Sequence, residues 1–190
     1  DIQSIFQLIS VGSMINYLIS KTHCIANNAK CHTNAICRAI INRDFPEIVE
    51  EIRTLDSAPE LIHRSYVETT EEPHLPVIML MRDPIDRFIS AASMNDALEL
   101  DDIFADLQNG GEWTEDHVML RQSDYVRPGI KIFQFPDQAR QFCEEAGFKF
   151  PLATLNKNKG EKITLTEEQL AIVKEYYAED IKLFSSLPVA

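Results

Sequence analysis

The sequence predicts an α/β domain built on a mostly parallel sheet with helices on both faces. Three observations carry that reading. From Thr22 onward, short apolar runs alternate with amphipathic segments, the order that parallel strands and crossover helices require. Val77 to Met81 is a run of five apolar residues, the length and composition of a strand buried on both faces. That run passes through Arg82 and Asp83 into Pro84 and an amphipathic segment, and such a strand–turn–helix passage is where phosphates sit in α/β chains.

Composition sets the bounds. A chain of 190 residues, 45% hydrophobic and 25% charged, fits one globular domain with a real core. Its net charge of −12 excludes a nucleic-acid partner, because binding a phosphate backbone needs a basic face. A nucleotide cofactor is still allowed, since it needs only a local cluster of donors and cations. The same charge makes a polyanionic partner awkward and a neutral sugar, lipid or small alcohol an easier one. Cys24, Cys31, Cys37 and Cys143 show neither a CxxC pair nor zinc spacing, so free, buried thiols in a reducing cytoplasm are expected.

The elements follow in chain order. Ile2 to Ser20 is uncharged but broken by polar residues and lacks a basic flank, which makes it weak as a membrane anchor or signal peptide. Residues 1–20 are therefore set apart as an N-terminal extension, with Met14 as an alternative start, and residues 21–190 as one domain. Thr22 to Asn28 reads as a strand, Lys30 to Asn34 as a turn, and Asn34 to Arg43 as a helix that Asn34 caps. A lysine-bearing turn between strand and helix can cradle a phosphate on its amides and the helix dipole. It is not a Walker A loop, whose glycine spacing is absent.

Phe45 to Thr54 reads as a second helix opened by Pro46, and Glu60 to Tyr66 as a short strand carrying His63. After Val77–Met81, Asp83 caps a helix with Pro84 at its first position. Ile85, Phe88, Ile89 and Ala92 form its inner face, with Asp86, Arg87 and Ser90 pointing elsewhere. The acidic stretch after it carries a stripe of Leu98, Ile103, Phe104 and Leu107 and ends at Asn109-Gly110-Gly111. Glu99, Asp101 and Asp102 read as a solvated face. Trp113 to Val126 carries His117 and Gln122, and Trp113 reads as core. Ile130 to Phe135 is a strand, and Pro136 opens a helix that Gly147 terminates. Asn156 to Lys162 is a basic loop, and Thr166 to Phe184 one long helix with a Thr166–Gln169 capping box.

One strong passage and three weaker ones carry a family resemblance. RDPIDRFISA, Arg82 to Ala91, resembles the 3′-phosphate motif of the sulfotransferases, particularly the carbohydrate (type 2) branch, RDP-x-x-R-φ-x-S-A. The turn AKCHTN, Ala29 to Asn34, resembles that family's 5′-phosphosulfate loop, P-K-x-G-[ST]-[ST]. Lys30 and Thr33 agree with the loop pattern, while Ala29, His32 and Asn34 replace its Pro, Gly and second hydroxyl. His32 departs furthest, because a Cβ is strained wherever the loop needs positive φ.

The resemblance covers nearly all of the chain after residue 20 and implies a P-loop-NTPase-like three-layer sandwich. It implies a transferase that moves a sulfuryl group from 3′-phosphoadenosine 5′-phosphosulfate (PAPS) to a hydroxyl-bearing acceptor, leaving PAP, with no metal. Lys30 and His63 are then the catalytic candidates, Lys30 on the leaving phosphate and His63 as base, a role whose pKa demand suits histidine. Glu68, His74 and His117 are rival bases. Lys30, Cys31, His32, Thr33 and Asn34 would line the phosphosulfate, and Arg82 and Ser90 the 3′-phosphate. Lys157 and Lys159 would close over the cofactor, and His117 and Gln122 would lie on the acceptor side. An impaired PAP-binding protein and a P-loop-like small-molecule kinase are the alternatives, the kinase lacking both Gly-rich spacing and a clear magnesium ligand.

Overall fold

A computed structural model describes residues 15–53, 67–116, 118–152 and 161–188. Five strands form one sheet: β1 (Tyr17–Ile19), β2 (Cys24–Ala26), β3 (Glu68–Thr69), β4 (Val77–Arg82) and β5 (Lys131–Phe135). Their order is β3-β1-β2-β4-β5. β2 and β5 run parallel to β4, with Cys24 opposite Val77 and Arg82 opposite Phe135. β1 runs antiparallel to both β2 and β3.

The sheet is therefore mixed, parallel through β2, β4 and β5 and antiparallel at β1, so the expected parallel sheet is found in part. The cause is the tight turn at residues 20–23. Ser20 donates its amide to the His23 carbonyl at 3.0 Å, and its hydroxyl accepts the His23 amide at 3.0 Å. A connection that short can only join antiparallel strands. Tyr17–Ile19, grouped in the sequence with the N-terminal extension, is thus a strand of the sheet, and Leu18 is fully buried.

The helices are α1 (Thr33–Asp44), α2 (Pro46–Arg53), α3 (Pro84–Ala92), α4 (Ala97–Asn109), α5 (Glu112–Glu115), α6 (Ala139–Ala146), α7 (Glu167–Tyr176) and α8 (Ala178–Ser186), with a 3-10 turn at Gln122–Tyr125. Alternate residues of β4 face opposite clusters, as a strand's period of two dictates. Ile78 and Leu80 pack with Ile36, Ile40 and Phe142, while Val77, Met79 and Met81 pack with Tyr125 and Phe184. A third cluster joins α3, α4 and α7 through Phe88, Phe104 and Val173. The four cysteines are free and buried. Among the described residues no helix is long and apolar enough to cross a membrane.

Local signals explain most boundaries. Asp83 accepts the amides of Ile85 and Asp86 at 3.0 Å and starts α3. Asp96 and Glu99 form a reciprocal capping box on α4, which gives Glu99 a structural role, and Asp101 and Asp102 face solvent. Thr166 and Gln169 do the same for α7. Gly147 ends α6 at φ +77°, a conformation that costs a residue without Cβ little.

Four expectations are corrected. The long terminal helix breaks at Tyr177, whose hydroxyl bonds the Met119 carbonyl at 2.6 Å and whose ring packs on Phe88. α6 starts at Ala139, because Gln138 folds back on Gln134 with both its amide and its side chain. Leu98 is 78% exposed and leaves the α4 stripe. On α3 the buried stripe is Pro84, Arg87, Phe88 and Ala91, joined by Ser90 and Ala92, so Arg87 and Ser90 point inward. Glu60 to Tyr66 with His63, and also His117, Lys157 and Lys159, lie outside the described residues.

Candidate functional site

The site is built where β2 and β4, adjacent and parallel, reach their C-terminal ends. β2 delivers the turn Asn27 to His32, α1 begins at Thr33, and β4 delivers Arg82 beside it. Lys30 and His32 both adopt left-handed backbone, at φ 65° and 62°. Neither is glycine, so each carries roughly 1–2 kcal/mol of strain. His32, not Asn34, is the residue preceding α1, and its side chain makes no capping bond.

A dense set of hydrogen bonds holds this turn in place. Arg82 Nη1 donates to the Lys30 carbonyl at 3.3 Å, and Arg87 Nε donates to the Ala29 carbonyl at 2.9 Å. Asn28 Nδ2 donates to the Leu80 carbonyl at 2.9 Å and to Gln122 Oε1 at 2.6 Å. The Thr33 hydroxyl donates to Asn27 Oδ1 at 3.1 Å, and Asn27 Nδ2 donates to Glu68 Oε1 at 2.7 Å. The Tyr125 hydroxyl donates to the Asn27 carbonyl at 2.8 Å. The His32 ring rests on Phe135 with centroids 4.8 Å apart.

The electrostatics are one-sided. Burial and then the neighbouring Arg82 guanidinium hold Lys30 below its usual pKa, and the same two causes act on His32. Among the described residues, Lys30, Arg82 and Arg87 are paired with no carboxylate. Asp83 forms no ion pair with Arg82; its Oδ1 accepts the first amides of α3. The first turn of α1 carries no acidic residue, so the helix dipole adds to the same positive field. Cys31 is buried and pushed up to about 11, chiefly by burial, which leaves it a neutral thiol. Among the described residues, Lys30 Nζ makes one polar side-chain contact, with the Met94 sulfur at 3.3 Å, a weak acceptor that an anion readily replaces.

The structure thus brings Lys30, Cys31, His32, Thr33 and Arg82 together. Asn34 sits one residue inside α1, and Ser90 is buried on α3. Gln122, expected on the acceptor side, lies against Asn28 and Arg82. It is fully buried, and its oxygen accepts the Arg82 amide at 3.1 Å while its Nε2 donates to the Arg82 carbonyl at 2.8 Å. Asp180 accepts the amides of Gln122 and Ser123 at 2.8 Å and fixes that segment. Gln122 therefore ties Arg82 to Asn28 from beneath the site.

Sequence reasoning missed Arg87, Asn27 and Asn28. The signal for Arg87 was present, since positions 84, 87, 88 and 91 follow the helical spacing of a buried stripe. Among the described residues no group of three or more His, Cys, Asp or Glu is placed to hold a metal. Family models, curated proteins and solved structures, compared with this chain, yield no match.

Proposed function

We propose that the chain is a PAPS-dependent sulfotransferase of P-loop-NTPase-like, three-layer architecture, acting on a hydroxyl of a carbohydrate or other small acceptor. The observation that carries this reading is the meeting of its two motif segments: Arg82 bonds the carbonyl of Lys30 beside the start of α1, with no carboxylate partner among the described residues. A site of this kind asks for a polyanion. The charges fit an anionic cofactor such as PAPS, since Lys30 and Arg82 stand together at the turn with no carboxylate partner among the described residues.

PAPS supplies an activated sulfuryl group on its 5′-phosphate. Lys30 is assigned to neutralise the charge that collects on the leaving phosphate oxygen, the largest service a protein gives in such a displacement. Thr33 and the turn hold the phosphosulfate, and Arg82 and Ser90 the 3′-phosphate. His63 takes the acceptor proton. Positioning both reactants in line supplies the remainder.

Transfer of labelled sulfate from PAPS to a panel of sugars, lipids and small alcohols tests the proposal. Turnover with one acceptor, abolished in Lys30→Ala while circular dichroism is unchanged, supports it. Full activity in Lys30→Ala overturns the assignment. A second reading, PAP binding without transfer, is favoured by one observation: His32 places a side chain at a left-handed position where the family pattern has glycine. PAP binding without transfer to any acceptor would select it.

A further inference from the structure

Arg87 is only 2% exposed, and its charge meets backbone carbonyls with no carboxylate among the described residues. Its Nε donates to the Ala29 carbonyl at 2.9 Å, its Nη1 to the Leu120 carbonyl at 2.8 Å, and its Nη2 is without a partner among the described residues. A buried cation answered only by dipoles costs several kcal/mol, and helix packing alone gives no reason to keep one on α3.

The carbonyls it and Arg82 hold are consecutive. Ala29 C=O belongs to the peptide plane before the Lys30 Cα, and Lys30 C=O to the plane after it. Two adjoining planes define the φ and ψ of the residue between them. The two arginines thus grip Lys30 from both sides and hold it at φ 65°, where a lysine would otherwise not stay. The planar fork also keeps Nε and Nη2 on one edge, so the unpartnered N–H lies on the side of the Ala29 carbonyl and the turn.

We propose that Arg87 is a positioning residue of the anion site. With Arg82 it locks Lys30 in its left-handed conformation, aims the Lys30 side chain, and adds its unneutralised charge to the field at the turn. The inference rests on the reading of this turn as the cofactor's phosphate site. Lysine cannot substitute, because a single ammonium on a flexible stem does not span two carbonyls in a fixed plane.

The test is calorimetric titration of PAP into the full chain and its Arg87→Lys and Arg87→Gln variants, with thermal melts of each. The expected result is a loss of affinity of about ten- to a hundredfold in Arg87→Lys, measured well below its melting temperature, and a larger loss in Arg87→Gln. A purely structural role would lower the melting temperature and leave the affinity unchanged, which overturns the inference. No PAP binding by the unaltered chain overturns the cofactor reading itself, and the inference with it. Should both variants fail to fold, the Arg87 Nε–H resonance of the unaltered chain decides. A shift and slower exchange at saturating PAP support the role, and an unmoved resonance overturns it.

Discussion

Arg82 Nη1 lies 3.3 Å from the carbonyl oxygen of Lys30, a bond that joins two segments 52 residues apart. β4 carries the arginine and β2 leads into the lysine, and the two strands are parallel neighbours. Each motif is thereby a structural part of the other.

Removing that bond should be felt on both sides of it. Arg82→Met takes away the second of the two causes that hold His32 and Lys30 below their usual pKa values, burial being the first. The His32 pKa is expected to rise part of the way towards 6.5 in an NMR titration. The loss of one charge-assisted bond to a phosphate should cost PAP affinity about 1.5–3 kcal/mol. An unmoved His32 titration would show that Arg82 does not set the local field.

His32 also gives stability a pH dependence of definite sign. Its folded-state pKa lies below the ordinary 6.5, so the folded chain binds fewer protons than the unfolded chain across that interval. Stability then rises with pH through the interval and is lost as pH falls through it. Urea melts on either side of 6.5 should show this slope, and His32→Asn should flatten it.

The left-handed backbone at His32 makes a second substitution informative. The residue sits at φ 62° and its side chain caps nothing. His32→Gly releases the strain but loses the ring contact with Phe135 and adds backbone freedom to the unfolded chain. A net gain of about 0.5–1 kcal/mol in urea unfolding is expected. A loss of stability would mean that the ring on Phe135 outweighs the strain.

Much of the architecture around the Lys30 turn was legible in the sequence, and the reason is local chemistry. Val77–Met81 reads as a strand from its apolar run, Asp83-Pro84 as a helix start, and Lys30–Asn34 as a turn before a helix, close to the elements found. Strain at His32 followed from a Cβ standing where the family pattern has glycine. What stayed hidden depends on distant contacts. β1 is three residues long and earns its place only by pairing with β2 and β3. Tyr177 breaks a continuous helical stripe because its hydroxyl finds the Met119 carbonyl. The inward turn of Arg87 and Ser90 was missed because the apolar residues Ile85 and Ile89 set the inner face of α3 in the sequence, while the buried face is centred on Arg87, Phe88 and Ala91.

Gln122 is the hidden residue with the largest expected effect on stability. Its buried amide serves Asn28 Nδ2 and both the amide and the carbonyl of Arg82. Gln122→Ala strips two backbone groups of their side-chain partners at the end of β4. Leaving them unsatisfied costs about 2–4 kcal/mol, measurable as a lower urea midpoint with an unchanged slope. A change of only a few tenths of a kcal/mol would imply that water replaces the amide.

The sharpest measurement is a calorimetric titration of the chain with PAP beside one with ATP. PAP is expected to bind, with roughly micromolar affinity as for ordinary ligand sites, and to lose that binding in Arg82→Ala. ATP, which lacks the 3′-phosphate, is expected not to bind. Equal binding of the two nucleotides, or no binding of PAP, would contradict the assignment of Lys30 and Arg82 to a PAPS site.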